Sequence, residues 1–191
     1  MGILGGGFDP IHIGHIHLAL ELKEGHRLDE VIFVPAFCSP FKKKSGHKAE
    51  AKHRLQMTRL AVHGISGFTV SDWEIRQKKV SYTIDTLLAF QRKGERLFLL
   101  LSEEAAASFS LWKQPEEVVK IASLLIGKRG KKPVKIPKKF LPYFKKGITN
   151  TKIIEVSSTM VRQRMKEGKY VGHFLHPKVL TYIKEKHLYD K

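Results

Sequence analysis

The chain has 191 residues, 42% hydrophobic and 28% charged, and its 35 Lys and Arg residues against 18 Asp and Glu residues give a formal net charge of +17. This composition excludes a disordered polypeptide, no apolar run reaches the roughly 20 residues of a membrane span, and the single cysteine, Cys38, excludes an intrachain disulfide or a cysteine-rich zinc site. We therefore expect a cytoplasmic protein without a membrane partner, whose positive field attracts nucleic acid, anionic lipid or phosphorylated metabolites.

Apolar runs that are typical of buried strands alternate with segments of helical periodicity along most of the chain. The predicted strands are 3–4, 31–34, 68–70, 97–101, 123–126 and 153–156. The predicted helices are 16–23, 51–63, 82–90, 115–121, 159–166 and 178–186. This alternation favours an α/β fold, a doubly wound parallel sheet with helices on both faces and a small C-terminal helical subdomain. We expect a single domain, 1–191, whose last part, about 157–191, is helical.

Positive charge is concentrated in two stretches, 42–54 and 128–146. The prolines Pro133, Pro137 and Pro142 in the second stretch predict a basic loop rather than a long helix. For most of these lysines, the simplest interpretation is a solvated cationic surface.

The strongest local signal is the segment Gly5-Gly6-Gly7-Phe8-Asp9-Pro10-Ile11-His12-Ile13-Gly14-His15, which lies between the first predicted strand and the first predicted helix. In a doubly wound sheet, phosphates bind at this place, in front of a helix N-terminus. The glycines let the backbone approach a ligand closely, although neither the dinucleotide spacing of glycines nor the P-loop lysine is present. The segment therefore predicts a phosphate site of another type.

His12 and His15 are three residues apart and share one face if a helix begins near Pro10 or His12. Imidazole donors held in place there would stabilise the charge that grows on the α-phosphate of ATP during attack. An acceptor phosphate is ionised near neutral pH, so the reaction needs no general base. The pair by itself would also fit two surface histidines, and a zinc site would need further ligands.

A second candidate phosphate site is Ser157-Ser158-Thr159, which follows a predicted strand and precedes a predicted helix. Serine and threonine are favoured helix caps, and their hydroxyls and the free backbone N–H groups suit phosphate. Arg162 would lie in the first turn, where it can reach the β- and γ-phosphates. The spacing alone also fits a capped helix with a surface arginine.

These motifs resemble those of a known family. His12-Ile13-Gly14-His15 resembles the signature of the class I aminoacyl-tRNA synthetase and nucleotidyltransferase superfamily, and the longer glycine-rich run is similar to that of bacterial nicotinate-nucleotide adenylyltransferases. The segment 157–162 resembles the second ATP-binding motif of that family. The resemblance, which extends from Gly5 to the tail 177–189, implies a Rossmann-like fold. It also implies transfer of AMP from ATP to nicotinate mononucleotide, which gives deamido-NAD and pyrophosphate.

The resemblance implies a role for each candidate residue. His12 and His15 would be catalytic. The residues implied to bind ATP are Gly6, Gly7, Phe8, His12, Gly14, His15, Glu104, Ser157, Ser158, Thr159 and Arg162. The residues implied to bind the acceptor are Asp9, Lys42, Tyr82, Thr83 and Trp112, whose ring would stack on the pyridine. Mg²⁺ would bridge the ATP phosphates and keep most of its waters, so no protein ligands to a metal are expected.

Two positions depart from the family pattern. Ser102-Glu103-Glu104 stands where the family usually has Gly-x-Asp, and Phe41 stands where a histidine is expected before Lys42. These departures leave two other acceptors open, nicotinamide mononucleotide and phosphopantetheine. A basic nucleic-acid-binding protein is the alternative from another class, and it is less favoured because no helix-turn-helix or stacking RNA motif is present. The sequence does not distinguish a monomer from a homo-oligomer.

Overall fold

The computed structural model describes residues 1–42, 46–129, 134–152 and 154–190, with the side chains of Lys42 and Arg129 left out. Within these ranges, six strands form one sheet in the order β3-β2-β1-β4-β5-β6. All neighbouring strands are parallel, and this order is that of a doubly wound nucleotide-binding sheet. The strands are β1 (Gly2–Gly6), β2 (Val31–Pro35), β3 (Phe68–Val70), β4 (Phe98–Ser102), β5 (Ser123–Arg129) and β6 (Ile148–Thr151).

Helices connect and follow these strands. They are α1 (Ile13–Gly25), α2 (Ala51–Val62), α3 (Trp73–Gln77), α4 (Thr83–Phe90), α5 (Glu103–Ala107), α6 (Pro115–Ile121), α7 (Leu141–Phe144), α8 (Ser158–Lys166) and α9 (Pro177–Glu185). Short 3₁₀ turns lie at Pro40–Lys42, Phe109–Leu111 and Lys138–Phe140. Among the described residues, no helix is long and apolar enough to cross a bilayer.

Each face of the sheet carries its own hydrophobic core, because alternate residues of a strand point to opposite sides. Leu4, Phe33, Leu100 and Leu125 belong to the core that includes α1, α2, α8 and α9. Ile3, Val34, Leu101 and Ile126 belong to the core that includes α4, α5, α6 and α7. The prediction of a parallel sheet with helices on both faces is confirmed.

The C-terminal helical part packs on the sheet through the first of these cores. Val161 of α8 and Val179 and Ile183 of α9 lie in the same cluster as Leu22 of α1 and Met57 of α2. The apolar faces of these helices are therefore buried against the elements that begin the fold.

One predicted strand is wrong. The last strand is Ile148–Thr151 rather than 153–156, where Ile153 lies outside the described residues and Val156 is buried without strand pairing. The β-branched residues of Ile148–Thr151 pair with β5 at the sheet edge instead. In the basic stretch 128–146, residues 130–133 lie outside the described residues. In the described part, Phe140 and Phe144 are buried and anchor a 3₁₀ turn and the short helix α7.

Candidate active site

Two adjoining cavities, of about 600 Å³ and about 280 Å³, open at the carboxyl ends of the central strands. His15, Leu18 and Ser102 line both cavities. Ser102 ends β4 and His15 lies in the first turn of α1, which follows β1. The strand order reverses between β1 and β4, and ligands of doubly wound sheets bind at such a reversal.

The larger cavity is lined by residues from both predicted phosphate motifs. His12, Gly14 and His15 from the first motif face Ser157 and Ser158 from the second across this space. Glu104, which is exposed, lines it from the start of α5. The structure therefore brings together most of the residues that were expected to bind ATP.

The two histidine rings are stacked on each other at the start of α1. Their centroids lie 3.7 Å apart with an interplanar angle of 26°. His12 is the N-cap residue, and its backbone N–H donates to Nδ1 of His15 over 3.2 Å. An Nδ1 atom that accepts this bond carries no proton, so the neutral ring of His15 carries its proton on Nε2.

Burial, together with the neighbouring His12, lowers the pKa of His15 well below its ordinary value of 6.5. The ring is therefore neutral at neutral pH and acts there as a hydrogen-bond donor through Nε2. Such a donor stabilises negative charge without requiring a protonated imidazole.

Phe8 and Gly14 both pack next to this histidine pair. Phe8 was expected to bind ATP, but it lines neither cavity: it is 2% exposed and its ring meets the edge of His15 at 5.1 Å between centroids. A Cβ atom on Gly14 would lie 2.8 Å from Cγ1 of Val156 and 3.1 Å from Nδ1 of His12. Gly14 thus allows α1 to approach the segment that leads into α8.

The second motif is tied to the first loop by hydrogen bonds. Ser157 caps α8 by accepting from the backbone N–H of Met160 over 3.1 Å, and Ser158 Oγ donates to the carbonyl of Pro10 over 2.9 Å. Arg162 donates through Nη1 to the carbonyl of Asp9 over 2.6 Å and through Nη2 to Thr159 Oγ1 over 3.2 Å. Thr159 and Arg162 line neither cavity; they hold the two motifs together beside the larger one.

The smaller cavity gathers three of the expected acceptor residues, Tyr82, Thr83 and Trp112. Nζ of Lys113 lies 4.6 Å from the centre of the Tyr82 ring and 3.4 Å from Oδ1 of Asp85. Trp112 also lines this cavity, and its Nε1 donates to Ser108 Oγ over 3.4 Å. The wall therefore contains three aromatic side chains, Phe41, Tyr82 and Trp112, together with polar groups.

Other expected residues lie elsewhere. Gly6 and Gly7, which were expected to bind ATP, line the smaller cavity rather than the larger. Lys42 ends a 3₁₀ turn near that cavity, and its side chain lies outside the described residues. Asp9 was expected to bind the acceptor, but it is 1% exposed and lines neither cavity.

Asp9 instead holds several segments together from inside the protein. Its carboxylate accepts from the backbone N–H groups of Lys48 and Ala49 over 2.7 and 3.0 Å, and from the Tyr189 hydroxyl over 2.8 Å. Burial raises the pKa of Asp9, but the His47 ring and these hydrogen bonds outweigh burial and lower it to about 2. Asp9 is therefore ionised and serves the architecture of the loop.

Arg54 is a buried cation that fixes the glycine loop. It is 1% exposed and donates to the carbonyl oxygens of Ala49, Gly7 and Phe37 over 3.1, 2.8 and 3.0 Å. Burial lowers the pKa of its guanidinium. Its sequence neighbourhood is basic, and nothing in that pattern distinguishes a buried arginine from an exposed one.

Both departures from the family pattern have a defined place. Ser102 caps α5 by accepting from the backbone N–H of Ala105 over 3.3 Å, so the serine has a structural use where a glycine is usual. Phe41 is 60% exposed at the wall of the smaller cavity, where it offers an apolar surface in place of an imidazole.

Several lining residues were missed by sequence reasoning. These are His17, Lys152 and Glu155, which line the larger cavity. Glu74, which fits the family pattern just ahead of the segment 81–87, lines the smaller one. Glu74 is buried on the short helix α3, and burial raises the pKa of its carboxyl although Thr86 donates a hydrogen bond to it. The position of His17, two residues after His15, was the one sequence feature that could have indicated a missed residue. Lys152 and Glu155 are single polar residues that belong to no motif.

Comparison with known proteins defines the class. Residues 3–164 match the family described as cytidylyltransferase-like. The match covers most of the chain and includes the glycine loop, the histidine pair and the second phosphate motif. The chain therefore belongs to the cytidylyltransferase-like nucleotidyltransferases.

Two relatives make the assignment more specific. A protein of Aquifex aeolicus named "Probable nicotinate-nucleotide adenylyltransferase" is 40% identical over 166 residues, which are 82% of this chain and 98% of that protein. A protein of the same name from Hydrogenobaculum sp. is 36% identical over 194 residues, which are 100% of both chains. Within its class, the chain belongs to the nicotinate-nucleotide adenylyltransferases, the nucleotidyltransferases of NAD biosynthesis.

Solved structures agree on the fold. The nicotinic acid mononucleotide adenylyltransferase of Plasmodium falciparum, complexed with NaAD, has a TM-score of 0.76 and 22% identity over 98% of this chain and 96% of that one. A nicotinate-nucleotide adenylyltransferase structure from Vibrio parahaemolyticus has a TM-score of 0.71 and 16% identity over 100% of this chain and 94% of that one. At these identities the likeness concerns the fold.

Proposed function

We propose that ATP occupies the larger cavity and nicotinate mononucleotide the smaller one, so that AMP is transferred where the cavities meet. The observation that carries this proposal is that His15 lines both cavities. A group on the shared wall can contact the α-phosphate of one substrate and the phosphate of the other. The proposal gives each cavity one substrate of the family reaction.

In the proposed reaction, an oxygen of the acceptor phosphate attacks the α-phosphorus of ATP in line with the bond to pyrophosphate. That bond breaks, pyrophosphate leaves with the electron pair, and a new diphosphate bond joins AMP to the mononucleotide. The acceptor oxygen is already ionised near neutral pH, so no proton has to be removed from it. Catalysis then consists of alignment and of stabilising charge on the α-phosphate oxygens.

His12 and His15 are the proposed stabilisers of that charge. The Nε2 proton of His15 is fixed by the tautomer that the His12 backbone N–H selects. The stacking of the two rings and the edge contact with Phe8 hold the imidazole before substrate arrives. A donor that is already oriented gives more stabilisation to the transition state than to bound ATP.

The second motif is the proposed holder of the leaving phosphates. Ser157 and Ser158 line the larger cavity, and Thr159 and Arg162 stand directly beside them. The N-terminus of α8 adds free N–H groups and the positive end of a helix dipole. Gly14 contributes by keeping α1 close to this helix start.

We propose that ATP binds together with Mg²⁺, which would neutralise part of the charge on the triphosphate. Among the described residues, no group of three or more His, Cys, Asp or Glu side chains is placed to hold a metal ion. The proposed ion would enter bound to the phosphates and keep most of its waters. Glu104 and Glu155 both line the larger cavity, and Glu104 is the carboxylate that we propose for the ATP ribose or for the water shell of the ion.

The smaller cavity favours a flat acceptor. Tyr82 and Trp112 present aromatic rings, and Thr83 and Lys113 provide polar groups beside them. Stacking on an aromatic ring suits a pyridine better than the flexible chain of phosphopantetheine. Lys42, close in sequence to Phe41, is proposed to reach the acceptor phosphate.

The chain is proposed to act as a single catalytic domain, 1–191, with its helical part at about 157–191. The shared core of α8 and α9 with α1 and α2 supports this proposal. The cytoplasm, where ATP is supplied, is the proposed location.

A comparison of acceptors tests the proposed function. Pyrophosphate release is measured with MgATP and, in turn, nicotinate mononucleotide, nicotinamide mononucleotide and phosphopantetheine. We expect kcat/KM to be highest for nicotinate mononucleotide, and at least about 10-fold lower for phosphopantetheine, which loses ring stacking and alignment. Equal rates with phosphopantetheine would contradict the assignment of the smaller cavity to a pyridine ring.

A further inference from the structure

A chain of buried polar contacts connects the C-terminal tail to the wall of the smaller cavity. Tyr189 donates to Oδ1 of Asp9 over 2.8 Å. On the other side of the same carboxylate, Nδ1 of His47 lies 3.8 Å from Oδ2. The backbone N–H of Ser39, a residue that lines the smaller cavity, points to Nε2 of His47 at 3.4 Å.

The hydrogen bond from Ser39 determines the tautomer of His47. An Nε2 atom that accepts from a backbone N–H carries no proton, so the neutral ring carries its proton on Nδ1, the atom that faces Asp9. The 3.8 Å separation is longer than an ordinary hydrogen bond, so the attraction between ring and carboxylate is electrostatic. The side chain of His47 is only 6% exposed, and that attraction is weakly screened there.

Asp9 also joins this chain of contacts to the nucleotide loop. Its carboxylate accepts from the backbone N–H groups of Lys48 and Ala49, and its carbonyl accepts from Arg162 of the second phosphate motif. One ionised side chain thus sets the separation between the loop in front of the histidine pair and the segment that includes His47.

We propose that His47 is a positioning residue for the acceptor, which holds the wall of the smaller cavity, Ser39–Phe41, at a fixed distance from the nucleotide loop through Asp9. Tyr189 completes the arrangement by orienting the Asp9 carboxylate. This inference rests on the proposed assignment of the smaller cavity to the mononucleotide. Under this inference, Asp9 positions the wall of the smaller cavity in addition to stabilising the fold.

A purely structural role makes a different prediction from a positioning role. Loss of a buried contact that only stabilises the fold lowers the free energy of unfolding. In the protein that remains folded, the KM for ATP and the KM for the acceptor stay at their wild-type values. Loss of a contact that places the Ser39–Phe41 wall changes the acceptor site and leaves the larger cavity intact. The two Michaelis constants therefore separate the alternatives.

His47→Leu removes both polar contacts and keeps a buried side chain of similar size. We expect the KM for nicotinate mononucleotide to rise about 10-fold, the KM for ATP to change less than about 2-fold, and kcat to fall less than about 3-fold, because a lost buried contact displaces one wall only. His47→Gln, whose amide keeps one donor and one acceptor, should recover part of the acceptor KM. Tyr189→Phe, a milder change, should raise it about 3-fold.

The chain offers a matched control for both variants. His53 and Tyr182 form a hydrogen bond of 2.9 Å between α2 and α9, and neither residue lines either of the two substrate cavities. His53→Leu and Tyr182→Phe therefore remove a comparable pair of groups away from the site and should leave both KM values unchanged. All variants are compared at a temperature at which circular dichroism shows each to be folded.

Two outcomes would overturn the inference. One is an acceptor KM in His47→Leu that moves no more than in His53→Leu; the other is an equal rise of both KM values. If His47→Leu does not fold, Tyr189→Phe against Tyr182→Phe decides the question by the same comparison. A wild-type protein that releases no pyrophosphate would instead refute the proposed function, so the two failures are distinguishable.

Discussion

At the residue scale, the tautomer of His15 explains why the two histidines are three positions apart. The N-cap backbone N–H of a helix lies within reach of the side chain three residues later, as in a capping box. In this chain the acceptor at that position is an imidazole nitrogen instead of a carboxylate. One hydrogen bond therefore caps α1 and leaves the Nε2 proton of His15 available to substrate.

Replacement of His15 tests this assignment. His15→Ala removes a pre-oriented donor from the shared wall of the cavities, and we expect kcat to fall by about 10²–10³-fold, the loss typical of one such donor. The far-ultraviolet circular dichroism spectrum should not change. His26→Ala, at the other end of α1, removes an imidazole that contacts Thr149 and should leave kcat near the wild-type value. A His15→Ala enzyme with nearly normal kcat would exclude the proposed role.

The glycine-rich motif could be located from the sequence, but the duties of its members could not. His12, Gly14 and His15 line the larger cavity as expected, whereas Phe8 and Asp9 support the loop from inside the protein. A sequence motif shows which residues a site requires. It does not show which of them contact the ligand and which of them only hold the loop in place. That distinction depends on burial and on partners that are distant in sequence, such as Tyr189, whose hydroxyl donates to Asp9.

At the element scale, the site depends on how closely the start of α1 approaches the start of α8. These helices are far apart in sequence, and Ser158 Oγ joins them through the carbonyl of Pro10. The side of Gly14 that faces Val156 has no room for a methyl group, since its Cβ would stand 2.8 Å from Cγ1 of Val156. Two helix N-termini can therefore point at one triphosphate.

Gly14→Ala tests this approach. An alanine inside an exposed helix would raise stability by about 1 kcal/mol if the methyl group had room. Here the methyl group meets Val156 and His12, so we expect no gain in the free energy of unfolding and a fall in kcat of about 10-fold. Adding Val156→Ala removes the closer contact, and the double variant should regain part of kcat. Independent, additive effects of the two substitutions would contradict the proposed contact.

The elements with strong apolar patterns were predictable, and the weak ones were not. The inner strands contain apolar runs, such as 97–101, and the structure places their ends within three residues of the expected bounds. The edge strand Ile148–Thr151 carries one apolar side chain among polar ones, so the neighbouring run 153–156 was a stronger but false signal. The short helices α3 and α5 hold five residues each, too few to show a period.

At the scale of the whole molecule, the chain has a formal charge of +17, and both substrates of its family's reaction are anionic. A net positive charge attracts anions to a protein and raises their rate of encounter with it. The parallel sheet with helices on both faces could be predicted because buried strands alternate with helices along the chain. The packing of α8 and α9 against α1 and α2 could not be predicted, because an apolar helix face does not indicate which element it packs against.

The unfolding free energy of the whole chain should depend on pH through Asp9, which joins the first loop to the C-terminal tail. The pKa of Asp9 is lowered from 3.8 to about 2 in the folded protein. A lowered carboxyl pKa contributes stability that is complete well above 3.8 and is lost as the pH falls through the range between 3.8 and about 2. This shift predicts that the stability advantage of the wild type over Asp9→Asn narrows by about 1 kcal/mol from about pH 5 to about pH 3. Urea unfolding at each pH measures the difference, with Tyr189→Phe expected to show a shallower loss because its Asp9 carboxylate has one donor fewer. Parallel stability profiles for the wild type and Asp9→Asn would show that the carboxylate is not held in its ionised form by the fold.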